Sequence, residues 1–246
     1  MAKTATKSGQ IYTGIGGWTF EPWRGVFYPD GLAHAKELQY ASSKLTSIEI
    51  NGTFYRTQSP ATYRKWASEV PDGFVFSVKG LRYVTNRSVL AEAGESLKRF
   101  IGSGVLELGS RLGPLLWQMA PFKKFDEADF GKFLELLPPS VGMQKLRHVV
   151  EVRHDSYPEI ADLTSDFVYA RLQKGDDTIK TGYPPKALDA WAERLAIWAR
   201  GGEPADLPRV EKKSAPKQPR DVFAYVIHEG KVRAPAAAME LIQRLK

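Results

Sequence analysis

Four short apolar runs in this 246-residue chain close on a polar pair spaced two residues apart: Glu49 with Asn51, Ser77 with Lys79, Glu151 with Arg153, and Tyr169 with Arg171. A fifth run ends on Gln118. Residues i and i+2 of an extended strand share a face. The residues between them, Ile50, Val78, Val152 and Ala170, are apolar and would turn toward a covering layer. If these strand ends converge, two carboxylates (Glu49, Glu151), three cations (Lys79, Arg153, Arg171) and two amides (Asn51, Gln118) meet at one end of a sheet. Such a set can clamp an anion through its cations and exchange protons through a carboxylate. Burying unpaired charge is costly, and even a buried ion pair often stabilises less than apolar packing, so stability alone is a weak reason for the pattern. The competing reading is a closed ion-pair network of Glu49, Lys79, Glu151 and Arg153 that plugs the end of the sheet.

Of the four histidines, at 34, 148, 154 and 228, only His154 stands directly after such a pair, with Asp155 beside it. It is either a general base or a satisfied structural group. The chain has no cysteine, so a disulfide framework, a thiolate nucleophile and a cysteine-ligated metal are closed to it. No cofactor is evident, and a divalent ion, which the sequence leaves open, would rest mainly on carboxylates. A Walker loop, a G-x-S-x-G elbow and an H-E-x-x-H helix are all lacking. Gly14-Ile-Gly-Gly17 reads as a tight exit from a strand. The segment from Trp18 to Pro29 packs five aromatics (Trp18, Phe20, Trp23, Phe27, Tyr28) into what must be a loop. It is a folded lid that buries its rings, or a stacking wall for a sugar or base.

The elements that would position these residues alternate in type. Short apolar runs at Ile11 to Gly16, Ser47 to Asn51, Phe74 to Lys79, Pro114 to Gln118, His148 to Arg153, Phe167 to Arg171 and Val222 to Ile227 read as strands. Helical periodicity marks Leu32 to Lys44, Pro60 to Glu69, Ser88 to Ile101, Glu127 to Leu137, Pro185 to Arg200 and Pro235 to Leu245. Ser59 and Asp126 are expected N-caps, and Asp129 is placed to favour a helix dipole. The alternation predicts an α/β fold, a TIM-type (β/α) barrel that is irregular with about seven strands. The interval from His154 to Asp166 is too short for a full βα unit and is expected to hold a turn and a brief helix, so the sixth unit is missing. Residues 1–10 read as a flexible tail and 11–246 as one barrel domain, with residues 201–220 a long surface loop rich in proline, glycine and lysine.

The composition, 43% hydrophobic and 26% charged, suits a globular core, and a net charge of +7 favours anionic partners. No export signal or uninterrupted apolar run long enough for a bilayer stands out, so a cytoplasmic protein that does not enter membranes is expected.

Gly17-Trp-Thr-Phe-Glu-Pro-Trp-Arg-Gly-Val-Phe-Tyr-Pro29, Glu49-Ile-Asn-Gly-Thr-Phe-Tyr55, Phe74-Val-Phe-Ser-Val-Lys79, Leu112-Gly-Pro-Leu-Leu-Trp-Gln-Met-Ala-Pro121, Glu151-Val-Arg-His154 and Tyr169-Ala-Arg-Leu172 together resemble the YecE-like family, domain of unknown function seventy-two. The resemblance implies a TIM-type barrel related to the xylose isomerases and apurinic endonucleases, and no established reaction. Carried over residue by residue, it places Glu49, Asn51, Phe54, Tyr55, Lys79, Gln118, Glu151, Arg153, His154 and Arg171 at the mouth. The chain departs from the family by lacking one βα unit after E-x-R-H. It also has Gln173 and Lys174 where the family carries histidine and glycine, and Ile227 and His228 in place of an asparagine pair. The metal-holding histidines and carboxylates of the related endonucleases are not matched.

Three functions follow as expectations. The first is a barrel-mouth pocket for a phosphate-bearing ligand, a nucleic acid or sugar phosphate. There Trp18, Asn51, Tyr55, Lys79, Gln118, Arg153 and Arg171 bind, and Glu49, Glu151 or His154 carries acid/base catalysis. The second is a non-catalytic nucleic-acid or protein binding module with a structural charge cluster. The third is a metal-free sugar isomerase or lyase using Glu49 and Lys79. An anionic small molecule or a nucleic acid is the expected partner, and the gap in the barrel offers a homodimer surface.

Overall fold

A computed structural model describes residues 8–158 and 160–246. The expected tail therefore lies outside the described residues up to residue 7. The chain runs β1 (Ile11–Gly16), α1 (Glu37–Lys44), β2 (Ser47–Ile50), α2 (Pro60–Ser68), β3 (Val75–Lys79), α3 (Arg82–Thr85), α4 (Gly94–Ile101), β4 (Leu112–Gln118) and α5 (Glu127–Leu136). It continues through a small hairpin of β5 (Ser140–Val141) and β6 (Gln144–Lys145), then β7 (His148–Glu151), β8 (Phe167–Lys174), α6 (Pro185–Ala199), β9 (Asp221–Glu229) and α7 (Ala234–Arg244). Outside the hairpin, seven strands form one sheet in the order β7-β4-β3-β2-β1-β9-β8. This is the α/β, TIM-type barrel architecture with seven strands instead of eight. The order begins at β7 and ends at β8, where the sequence places the missing βα unit.

Two compact units divide the chain: the described residues up to Ile48 together with those from Ile160 onward, and Glu49 to Pro158. In the first unit β8, β9 and β1 pair in parallel, with Tyr169 opposite Phe223 and Tyr12 opposite the same residue. β9 carries an apolar run, Val222 to Ile227, that is buried throughout, as a strand covered on both faces must be. α6 buries Leu188, Ala192, Leu195 and Trp198, a stripe at helical spacing, and starts on a proline whose missing N–H costs nothing in a first turn. Gly14 lies inside β1, so the expectation of a tight exit belongs to Gly17 alone, which takes a φ of +78°. Gly14 serves a close approach instead, because a Cβ there would stand 1.9 Å from the Ser47 carbonyl oxygen.

The brief helix expected between His154 and Asp166 is not present among the described residues. In the first unit, the polar groups of residues 161–165 pair with the long loop. Ala161 N–H donates to the Pro208 carbonyl at 2.7 Å, and the Asp162 carboxylate accepts from the amides of Val210 and Glu211, each at 2.9 Å. Arg220, almost wholly buried, donates to the carbonyls of Ser165, Pro216 and Gln218. These bonds anchor residues 201–220, which hold neither helix nor strand.

In the second unit β3, β4 and β7 pair in parallel, and Phe76, Phe100, Trp117 and Phe133 are wholly buried. Ser59 caps α2 and Asp126 caps α5 through their side-chain oxygens, as expected. Asp129 does not spend its carboxylate on its own helix. It accepts from the amides of Leu90 and Ala91 at 3.0 and 2.9 Å and pairs with Lys123. With those amides committed, residues 90–92 make a 3₁₀ turn and the helix expected from Ser88 begins at Gly94. The helix expected from Leu32 likewise begins late, at Glu37, after a 3₁₀ turn over residues 34–36.

His148 is a half-buried histidine with both ring nitrogens bonded. Its Nδ1 accepts from the Trp117 indole N–H at 3.0 Å and its Nε2 meets the Pro138 carbonyl at 2.7 Å. Burial pushes its pKa below the ordinary histidine value, against the upward pull of that carbonyl. A second proton would also set an N–H against the Trp117 N–H. The folded state therefore resists protonation while the unfolded chain accepts it below about pH 6.5. Stability should be flat above neutrality and fall as the pH drops through about 6.5, by at most about 1.4 kcal/mol per pH unit for this one group. Urea midpoints between pH 7.5 and 5 should show the decline, and His148→Gln should show a shallower one. An equal slope in the variant would assign the acid sensitivity elsewhere.

Candidate functional site

The second unit gathers three of the expected side chains into one hydrogen-bonded line and two more into a pair. Lys79, at the end of β3 and nearly buried, donates from Nζ to Gln118 Oε1 at 2.7 Å. Gln118, at the end of β4, donates from Nε2 to Glu151 Oε2 at 3.0 Å at the end of β7. The parallel register that sets Gln118 opposite Glu151 produces this contact directly. Glu49, wholly buried, accepts from Asn51 Nδ2 at 3.0 Å, and these two lie two residues apart, as the strand pattern requires. The Lys79 ammonium also sits 4.3 Å above the Phe54 ring, a cation–π distance.

Local chemistry aims these groups. Residues 52–54 make a 3₁₀ turn after β2, and the Thr53 hydroxyl bonds the Lys79 carbonyl at 2.7 Å, which ties that turn to the end of β3. Gly80 lets the backbone after Lys79 pass against the Trp117 ring, since a Cβ there would stand 2.2 Å from it. Ser77, which shares the Lys79 face, donates to the Pro114 carbonyl at 2.9 Å and so belongs to the sheet's own bonding.

Other expected residues stand apart from this line. Arg153 is exposed and makes none of the contacts that join Lys79, Gln118 and Glu151. β7 ends at Glu151, two residues earlier than the apolar run suggests, so Arg153 lies in irregular chain where strand alternation no longer aims it. His154 is half-buried, and its Nδ1 accepts from the Ser156 amide at 3.0 Å, as a local structural group would. Tyr55 is 68% exposed. Trp18 and Arg171 are carried by the first unit, both half-buried. In that unit the Trp18 carbonyl accepts from the Tyr28 hydroxyl at 2.6 Å. Trp23, Phe27 and Tyr28 are buried in edge and tilted ring contacts, so for these three the lid reading holds. Among the described residues no three His, Cys, Asp or Glu side chains group closely enough to hold a metal ion.

The strand-end reading does not point to Thr53, which pins the first loop, or to the exposed rings of Tyr83, in α3, and Phe122, in the turn after β4. Each of those rings adjoins a cation in sequence, a signal that strand periodicity does not weigh.

Residues 12–161, more than half of the chain, match a family described as "Protein of unknown function DUF72". A 75-residue stretch is 35% identical to the UPF0759 protein YunF of Bacillus subtilis (strain 168). That stretch is 30% of this chain and 26% of the relative, so the match spans about a quarter of the relative's length. The crystal structure of a DUF72 family protein from Thermotoga maritima MSB8 superposes with a TM-score of 0.64 at 21% identity, over 95% of this chain and 97% of that one. A DUF72 family protein from Enterococcus faecalis V583 gives a TM-score of 0.63 at 12% identity, over 98% and 100%. At these identities the structural likenesses speak to the fold alone.

Proposed function

This chain belongs to the DUF72, or YecE-like, family of unknown function, and from that premise we propose that the strand ends of its second unit bind a phosphate-bearing ligand. In a fold whose βα loops leave from the C-terminal ends of parallel strands, that end is where ligands are held. The observation that carries the reading is the line from Lys79 through Gln118 to Glu151, drawn from three neighbouring strands. Lys79 would meet a phosphate oxygen as a compact cation, held in place by the Gln118 amide and the Phe54 face. Glu49 and Glu151, each already accepting an amide hydrogen, are the groups able to move a proton at the bound ligand. Arg153, exposed two residues beyond Glu151 in the chain, would close on the ligand's charge. Trp18 and Arg171 are given no role in this site.

A fully bonded polar line is also what a structural plug would contain, and one experiment separates the two. Thermal melting of the wild type, Lys79→Gln and Arg153→Ala is followed with inorganic phosphate, sugar phosphates and nucleoside monophosphates. A ligand at a hundred times its Kd stabilises by about 2.7 kcal/mol, or roughly 5–10 °C for a chain of this size. The expected result is such a shift in the wild type and its loss in Lys79→Gln. If no phosphate compound moves the wild-type melting temperature and Lys79→Gln is merely less stable, the line is a plug and the proposal fails.

A further inference from the structure

The segments that follow these strand ends carry a second pattern, which the strand-end residues do not explain. In the second unit three successive βα segments each expose an aromatic ring next to a cation in sequence: Tyr55 with Arg56 after β2, Tyr83 with Arg82 after β3, and Phe122 with Lys123-Lys124 after β4. The rings are 68%, 57% and 64% exposed. A lone exposed ring is ordinary on a protein surface. Three, one in each of the segments that follow three adjacent strands, are not scattered. Arg82 lies 5.2 Å from the Tyr83 ring centre and donates to the Tyr83 hydroxyl at 3.3 Å, so the cation and ring of the second pair are held together. Tyr55 in turn packs edge-on against Phe54, the ring beneath the Lys79 ammonium. The exposed cations of these three segments are Arg56, Arg82 and Lys124, against the exposed acids Glu92 and Asp126, and the whole chain carries a net charge of +7.

Exposed π-faces interleaved with cations suit one polymer chemistry above others: unpaired bases that stack, on a backbone of phosphates. A duplex hides its base faces, and a sugar phosphate has none to offer. We propose that the phosphate-bearing ligand of this site is a single-stranded nucleic acid, its bases stacking on Tyr55, Tyr83 and Phe122 and one of its phosphates reaching Lys79. This rests on the strand-end reading above and names its ligand. Arg56, Arg82 and Lys124 supply a sequence-independent, salt-sensitive hold, Lys123 being held by Asp129, and no base edge is read.

The test is fluorescence anisotropy of the full chain with a labelled oligothymidylate of about twenty nucleotides, long enough to exceed a single stacking groove. An abasic oligomer of the same length and a matching duplex are measured beside it. The oligothymidylate should bind tightest, with the abasic chain and the duplex roughly tenfold weaker or more. Tyr55→Ala combined with Tyr83→Ala should weaken it by roughly tenfold to several hundredfold, stacking being lost at two bases. Phe122→Ala should weaken it further, while Met143→Ala, another exposed apolar residue of the same unit, should leave it unchanged. Because the three rings are exposed, the variants should melt as the wild type does. Equal binding of the abasic oligomer, equal binding of the duplex, or indifference to the ring substitutions would each overturn the stacking platform. Thymidine monophosphate, measured by melting with the wild type and Lys79→Gln, keeps the two proposals apart. A shift that needs Lys79, with no oligomer preference, leaves the phosphate site standing and removes the platform.

Discussion

Gly14→Ala is expected to cost more than about 3 kcal/mol of folding stability, at or beyond the upper range for overpacking a core. The alanine Cβ would stand 1.9 Å from the carbonyl oxygen of Ser47 and 2.6 Å from its carbon. A methyl group has no rotamer by which to escape, and its neighbour is backbone, so the strands themselves must separate. That movement would strain the bonds across this approach, where the Thr13 amide donates to Thr46 Oγ1 at 2.7 Å and the Thr46 amide donates to the Thr13 carbonyl at 3.1 Å. A few kcal/mol is a large share of the roughly 5–15 that holds a domain folded, so poor soluble yield is the expected first sign. Gly17→Ala is the comparison: nothing lies within 4 Å of its Cβ, and only the φ of +78° is penalised, at about 1–2 kcal/mol. Urea midpoints of the two variants settle the matter. If Gly14→Ala unfolds where the wild type does, β1 and Ser47 are farther apart than described.

Trp23→Ala is expected to cost about 3–5 kcal/mol, the usual price of emptying a large aromatic from a core. Its ring is wholly buried, with edge contacts to Phe20, Phe27 and Tyr28 at 5.4, 6.2 and 6.4 Å between centres. Its indole N–H donates to the Lys231 carbonyl at 2.8 Å, which ties the aromatic segment to the turn that precedes α7. Removing it leaves a cavity and an unmet carbonyl together. Trp18→Ala, at a half-buried ring, should cost less than half as much by the same urea measurement. Comparable losses at both positions would mean that Trp23 is not what organises the segment.

How far the site could be read from the sequence depends on the residue. Glu49 and Asn51, or Lys79 and Gln118, were legible because strand alternation is local: a side chain's face follows from its neighbours in sequence. Arg153 obeyed the same pattern on paper and escapes it in the molecule, because β7 stops at Glu151 and nothing local announces where pairing ends. His154 was ambiguous for a related reason, since its bond to the Ser156 amide is a matter of turn geometry that residue types do not specify. The aromatic–cation doublets were present as text but had no meaning until exposure separated Tyr83 and Phe122 from Trp23 and Tyr28, which are just as aromatic and fully enclosed.

By itself the sequence determined the alternation of strands and helices, the seven-strand count, the capping at Ser59 and Asp126, the family, and the place of the missing βα unit. Each of these rests on short-range chemistry: periodicity, a cap oxygen beside its own helix, or a motif of neighbouring residues. Only the tertiary structure decided which partner each polar group takes. Asp129 turned from its own helix to the amides of residues 90 and 91, Gln118 bridged Lys79 to Glu151, and Gly14 proved to be a point of contact between strands and not a turn. These partners come from segments distant in the chain. The free energy of a buried donor or charge depends on what stands opposite it, and a linear sequence does not record that.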